Sequence, residues 1–346
     1  MTKNSKTPSE FPILALTMGD PNGIGAEVLL KALEGLRPFH NWQPLVFGDM
    51  EVLENVRGRL QLEWVFQAVT DVMTPASFRA GAGQIPVISL GSNTEQHWQP
   101  GTCSAWGGES ANRYFTRAVE WVQSGNCSAI VTAPLNKKAL SKAGINFPGP
   151  TEILAHYTGK ERAWMMLDTG ELRAVMVTLH MGLSDALKQL SKETVLETIE
   201  ITEKALRQIG FENPRLGVAG LNPHAGENGL FGKEEELWIG PAVRKARETG
   251  INVTGPCSPD TVFIRHRQGE FDAVIALYHD QALIPLKLTG FGNSVNITLG
   301  TPIIRTSVDH GTAFDRAEQY DADPSSMTAA IKMAIKLSRN QPFRLN

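Results

Sequence analysis

Apolar residues in this chain fall into two alternating patterns. The first is a series of short, nearly unbroken apolar runs, which read as buried strands: 11–18, 44–48, 62–69, 85–90, 128–133, 162–167, 172–180, 215–224, 251–255, 273–277, 295–299 and 303–308. The second marks helices, at 26–36, 109–123, 153–158, 184–190, 192–209, 233–248 and 325–338. In the helix at 192–209, for example, Val195, Leu196, Ile199, Leu206 and Ile209 share one face. Strands that alternate with helices predict parallel α/β sheets. One exception is expected: 162–167 and 172–180 are joined by the tight turn Asp168-Thr169-Gly170 and read as an antiparallel pair.

Chemistry-bearing residues gather where these apolar runs stop. The runs 172–180 and 215–224 end in His180 and His224, and 273–277 runs into Tyr278-His279-Asp280-Gln281. In parallel α/β sheets, sites form outside the carboxyl ends of the strands, so three rings from three strands can converge there. Their wide separations do not match a local zinc motif such as HExxH. They fit a ligand set assembled by the fold: three imidazoles with an open position for a divalent cation. Asp280 can orient His279 or move a proton. Lys287, on the following segment, can meet an anion.

Four weaker signals accompany these. The run 11–18 leads through the glycine-rich turn Gly19-Asp20-Pro21-Asn22-Gly23-Ile24-Gly25 into a helix, as nucleotide-type α/β domains begin. The turn is neither GxGxxG nor a Walker loop. Lys137 lies just beyond the strand 128–133 and can reach a site. Thr151 and Glu152 are expected to cap the helix at 153–158, whose free N-terminus favours an anion. Asp260, in the turn Gly255–Thr261, is a further carboxylate, of a kind that more often caps a helix.

Composition removes other readings. The 346 residues can build two domains, and 42% hydrophobic with 20% charged is ordinary for a soluble globular protein. The net charge of −3 gives no reason to expect nucleic acid or an acidic membrane surface. Cys103, Cys127 and Cys257 are odd in number and widely spaced, which argues against a disulfide framework and suits a reducing compartment. The polar N-terminus lacks a signal-peptide core, residues 1–10 read as a disordered tail, and no apolar run approaches transmembrane length. A cytoplasmic protein with no membrane or nucleic-acid partner is expected.

The runs GDPNGIGAE, APLNK, FPGPTE, TLHMGL, GLNPHAGENG, PDTVF, YHDQALIPLK and HGTAFD occur in that order. Together they resemble the 4-hydroxythreonine-4-phosphate dehydrogenase (PdxA) family of vitamin B6 biosynthesis over nearly the whole chain. The YHDQ and LNPHAGE runs are the most specific. The resemblance implies an α/β fold of two α/β/α domains, related to isocitrate and isopropylmalate dehydrogenases. We expect the first domain at 11–135 plus 300–346, and the second at 136–299 with the three histidines. It also implies a homodimer whose active site lies at the subunit interface, with both subunits contributing metal ligands. The cofactors implied are NAD, with NADP as the alternative, and a divalent metal (zinc, manganese, cobalt or magnesium). Carried over by position, the metal ligands are His180, His224 and His279, and the substrate contacts Thr151, Lys287, Asn296 and Arg305. HGTAFD is similar to the adenosine-side turn of isopropylmalate dehydrogenases, which points to Gly311 and Asp315 for the cofactor.

The activity implied is NAD- and metal-dependent oxidative decarboxylation of 4-phosphohydroxy-L-threonine to 3-amino-2-oxopropyl phosphate. The metal would acidify the substrate hydroxyl, and hydride would pass to nicotinamide. Asp280, Asp260 and Lys137 stand as alternatives for the group that takes the proton. One position departs from the family: Pro150 stands where a PGHTE run has histidine. Proline offers neither a ring nitrogen nor an N–H, so one polar substrate contact is missing. The alternative is therefore a paralogue acting on phospho-threonate, phospho-erythronate or a carboxylated cyclic dihydrodiol. From other classes, a metal-dependent hydrolase would need no nicotinamide, and a sugar-phosphate binding protein would need no metal.

Overall fold

The computed structural model describes residues 11–70, 83–91, 94–147, 149–290, 292 and 294–339. The expected N-terminal tail lies outside them. The chain divides into two units, residues 1–159 with 302–346, and residues 160–301.

The first unit opens β1 (Ile13–Thr17), α1 (Gly25–Gly35), β2 (Gln43–Gly48), α2 (Met50–Arg59), β3 (Val65–Ala68), β4 (Gln84–Ser89), α3 (Thr94–His97), α4 (Ala105–Gln123), β5 (Ala129–Thr132), α5 (Lys137–Lys142) and α6 (Pro150–Tyr157). The second unit holds β6 (Trp164–Asp168), β7 (Arg173–Met176), α7 (Leu183–Gln189), α8 (Lys192–Gln208), β8 (Leu216–Ala219), α9 (Gly240–Glu248), β9 (Val253–Cys257), α10 (Val262–Arg267), β10 (Ala273–Ala276), α11 (His279–Gly290) and β11 (Val295–Leu299). β12 (Arg305–Val308) and α12 (Ser325–Arg339) return to the first unit.

In the first unit the strands run β3-β4-β2-β1-β5-β12, all parallel. β1 is central and every residue in it is buried, which is why its sequence ILALT is continuously apolar rather than alternating. Leu29, Leu30 and Leu33 of α1 and Tyr114 and Phe115 of α4 are fully buried in this unit. In the second unit the order is β11-β6-β7-β10-β8-β9. The expected antiparallel pair is present as β6–β7, and β11 also pairs antiparallel with β6. β7, β10, β8 and β9 are parallel. Leu167, Met176, Val274, Ala276, Val262 and Leu286 form part of its core.

Several expectations need correction. The crossover between units falls after Gly159, not after 135, because α5 and α6 pack with α4 of the first unit. The three histidine-bearing strands stop short of their histidines; β7, β8 and β10 end at Met176, Ala219 and Ala276. α4 begins at Ala105, where the Ser104 hydroxyl accepts from the Gly107 N–H. The helix expected at 153–158 starts instead at Pro150, with Gly149 as its N-cap. Thr151 and Glu152 therefore lie inside its first turn and are not caps. Asp260 does not cap α10 either; Thr261 occupies that position without a side-chain cap. β9 runs through Gly255 and Pro256 to Cys257, where a turn was expected. The helix expected over 233–248 is a π-type turn, Glu235–Ile239, followed by α9.

Candidate active site

In the second unit β7, β10 and β8 are adjacent and parallel, so their carboxyl ends open on one edge. The segments leaving that edge carry His180, His279 and His224. The His180 and His279 ring centroids lie 5.4 Å apart. Two imidazoles bound tetrahedrally to one zinc-sized ion, with about 2.0–2.1 Å metal–nitrogen bonds, have centroids roughly 5 Å apart. The pair therefore fits a shared cation. His279 Nδ1 lies 2.6 Å from Asp280 Oδ1, the carboxylate partner that fixes a metal-binding imidazole and leaves its Nε2 outward. Asp280 is thus placed to orient His279.

His224 sits in a turn beyond β8, exposed to solvent. Residues His224 to Asn228 all have positive φ, from 42° to 81°. Left-handed backbone costs roughly 1–2 kcal/mol per non-glycine residue, so neighbouring contacts must hold it. Glu235, 5% exposed, accepts hydrogen bonds from the Leu221 N–H (2.8 Å) and the Asn222 N–H (2.7 Å). The Asn222 side-chain amide donates to Glu234 and Glu235. Gly226 must be glycine here, because a Cβ would lie 2.7 Å from Glu235 Oε2. Among the described residues no group of three or more His, Cys, Asp or Glu within the chain is placed to hold an ion.

Elsewhere in this unit, Lys287 is exposed on α11. Asn296 lies on β11 with its Oδ1 buried and lacking a hydrogen-bond partner among the described residues. That orphaned acceptor suits a ligand donor. Asp260 is exposed in the turn before α10.

In the first unit, Arg305 opens β12 and is 3% exposed. Its guanidinium donates to Thr132 Oγ1 (2.8 Å) and Thr151 Oγ1 (3.5 Å). Burial pulls it down to about 10, offset in part by Glu152. Lys137 opens α5, where Asn136 caps the helix. A Cβ placed on Gly149 would lie 4.0 Å from Lys137 Nζ, so this amine stands at the N-terminus of α6. Lys137, Arg305 and Thr151 thus gather around a helix N-terminus that starts with Pro150. Proline fits there because the first helical N–H has no intrahelical partner. The cost falls on a ligand: one donor of the helix N-terminus is absent.

The GDPNGIG turn proves to be a hub of this unit. Asn22 is fully buried. Its side-chain amide donates to Thr102 O and Ser104 Oγ, and its Oδ1 accepts from the Gln99 N–H. Gly23 lies against the turn after β12: its Cβ would meet Thr312 O at 2.7 Å. Ile24 donates to that same carbonyl, and the Asn136 amide donates to the Thr312 hydroxyl. Gly311 and Asp315 lie exposed in this turn. Asp20 is buried with Oδ1 accepting from the Asn22 N–H and Oδ2 lacking a partner among the described residues. Burial pushes its carboxyl up to about 6. Sequence reasoning missed Glu235 and Asn222, whose only signal was their nearness to His224 in the chain.

The model of a protein family described as "Pyridoxal phosphate biosynthetic protein PdxA" matches residues 40–334. A 4-hydroxythreonine-4-phosphate dehydrogenase of Desulfosudis oleivorans is 45% identical, over 94% of this chain and 95% of its own length. A D-threonate 4-phosphate dehydrogenase of Salmonella typhimurium is 44% identical, over 95% of this chain and all of its own. The crystal structure of a 4-hydroxythreonine-4-phosphate dehydrogenase from Klebsiella pneumoniae superposes with a TM-score of 0.87 at 40% identity, covering 96% of this chain and 99% of that one.

Proposed function

The chain belongs to the PdxA family of dehydrogenases, and on that premise we propose that it oxidises a phosphorylated four-carbon hydroxy acid, 4-phosphohydroxy-L-threonine, to 3-amino-2-oxopropyl phosphate and carbon dioxide. The observation that carries the reading is the His180–His279 pair with Asp280 against His279 Nδ1. That pair would hold a divalent metal such as zinc, manganese, cobalt or magnesium, with His224 completing the ligand set across the interface between two copies of the chain. When bound, the metal supplies Lewis-acid polarisation of the substrate oxygens and NAD takes up the hydride.

The protein's own groups have separable tasks. Arg305 and Lys137, with the α6 N-terminus and Thr151, would neutralise and orient an anionic end of the substrate. Lys287 would add a third cation and Asn296 a neutral hydrogen bond. Asp280 holds the His279 ring, which leaves Asp260 and Lys137 as the freer candidates for the proton. Gly311 and Asp315, in the turn held by Ile24 and Asn136, would meet the cofactor. A second copy of the chain is the partner we infer. Leu183 and Leu187 on α7, Leu230 and Phe231 after His224, and Ile284 and Leu288 on α11 are all exposed apolar side chains on the segments that carry the histidines. The three cysteines are free thiols, which agrees with a cytoplasmic setting. Among the described residues no helix is long and apolar enough to cross a membrane.

D-threonate 4-phosphate is the second reading. Pro150 removes a polar contact beside Thr151, and relatives at 44–45% identity carry both names. The two acids share a phosphate and a carboxylate and differ at the second carbon, amine against hydroxyl. A carboxylated dihydrodiol has no phosphate to occupy the Arg305 and Lys137 groups.

The test is NADH formation, followed in the near ultraviolet, by metal-loaded enzyme with each acid, with and without chelator. Chelator-sensitive turnover of 4-phosphohydroxy-L-threonine, lost in His279→Ala, is expected. Turnover of D-threonate 4-phosphate alone would move the substrate and leave the site. Near-normal activity of His279→Ala would remove the metal assignment.

A further inference from the structure

The segment that carries His224 is held in a shape that few sequences adopt. From His224 to Asn228 every φ is positive, and four of those five residues are not glycine. Such a run persists only where surrounding contacts over-determine it. A Cβ on Gly220 would lie 2.9 Å from Ala225 Cα, so the turn packs directly on the backbone that leaves β8. The Phe231 N–H donates to Gly226 O at 3.2 Å, which closes the turn and leaves the Phe231 ring centroid 6.3 Å from that of His224. The entrance to the turn is held by the Glu235 carboxylate. Its Oε1 takes the Leu221 and Asn222 N–H groups, and its Oε2 takes the Asn222 side-chain amide at 2.9 Å. The segment thus buries its carboxylate and presents its histidine outward.

We propose that Glu235 is a positioning residue that holds this left-handed turn in the shape that presents His224, as a metal ligand, to a second copy of the chain. The inference rests on the reading of His224 given above, and it needs no contact between His224 and the same chain's His180 and His279. The chemistry demands a carboxylate, because all three partners are N–H donors and an ionised carboxylate only accepts. Glutamine has the same shape, but whichever way its amide lies an NH2 group faces a donor. In one orientation that donor is the Asn222 amide, and in the other it is the pair of backbone N–H groups. Released from that anchor, the four non-glycine residues would relax toward negative φ, and His224 would leave its place.

The experiment is a double-mutant cycle. Metal-stripped wild type, Glu235→Gln, His224→Ala and the two substitutions together are titrated with cobalt(II), reading affinity by chelator competition and the visible d–d spectrum. Leu172→Ala is the control, a cavity in the core at the amino end of β7, on the sheet edge away from the histidines. Glu235→Gln is expected to bind cobalt about 10–100-fold more weakly, the range seen for groups that orient metal ligands, with a changed band pattern. Once His224 is alanine, Glu235→Gln should weaken binding no further. Leu172→Ala should lower the melting temperature and leave affinity and spectrum as in wild type. Should Glu235→Gln fail to fold, Asn222→Ala, which removes only the side-chain amide bonds, takes its place, with a smaller loss of the same kind. Wild-type affinity in the folded variant, an equal loss in the His224→Ala background, or the same loss in Leu172→Ala would overturn this inference alone. Unchanged affinity in His224→Ala, or no cobalt binding by wild type, would overturn the reading of His224 and this inference with it.

Discussion

Asp20 gives the sharpest test of the energetics. Its carboxyl is fully buried, Oδ1 accepts one backbone N–H, and burial pushes it up to about 6. An unfolded aspartate titrates near 3.9. Between those values the folded protein holds a proton that the unfolded chain has released. The contribution of Asp20 to stability is therefore greatest below about pH 4, falls as pH rises to about 6, and levels off above. With 1.36 kcal/mol for each pH unit of difference, the loss is about 3 kcal/mol. Asp20→Asn keeps an oxygen for the Asn22 N–H and cannot ionise. Any fixed cost of its amide, which faces the place of the orphaned Oδ2, is the same at every pH. The stability of Asp20→Asn relative to wild type should thus rise by about 2 kcal/mol between pH 4 and pH 7, where the titration is only partly spanned, or about 4–8 °C in melting temperature for a unit of this size. Thermal and urea unfolding of both proteins across that range measure it. Parallel curves, with a pH-independent difference, would show that Asp20 is not held protonated by burial and would refute the reasoning.

Two further predictions concern the candidate site. Arg305→Met removes a buried cation that would bond the substrate anion; at about 1.5–3 kcal/mol for a charge-assisted bond, kcat/KM should fall by roughly 10–150-fold, and steady-state kinetics in which it is unchanged would place the anion elsewhere. Leu288→Asp puts a charge on the most exposed apolar side chain of α11, 82% exposed; light scattering should show a smaller particle than wild type, with circular dichroism unaltered, and an unchanged mass would move the interface off this face.

The alternation of apolar runs and helical stripes was enough to place nearly every strand and to predict a mainly parallel α/β fold, because a strand buried on both faces has no polar positions to hide. ILALT of β1 and AVIA of β10 are of that kind. The pattern also located the three histidines, since polar residues must appear where a buried strand meets solvent. Element ends were less legible. Pro150 starts α6 because a helix tolerates proline in its first turn, and nothing in the apolar pattern distinguishes that from a loop ending one residue earlier. The division after Gly159 depends on α5 and α6 packing against α4, a choice between two available surfaces that local sequence does not encode.

The site divides in the same way. Residue type and position at strand ends identified His180, His224, His279 and Asp280, and family resemblance supplied Arg305 and Thr151. Only the tertiary structure set His180 and His279 5.4 Å apart, turned Asp280 onto His279, brought Lys137 to the α6 N-terminus, and set Glu235 against the backbone that leads to His224. The physical reason is that an element forms from the period and burial of nearby residues, which one stretch of chain contains. A site forms from distances between stretches far apart in sequence, and those distances exist only once the sheet order has placed β7, β10 and β8 side by side.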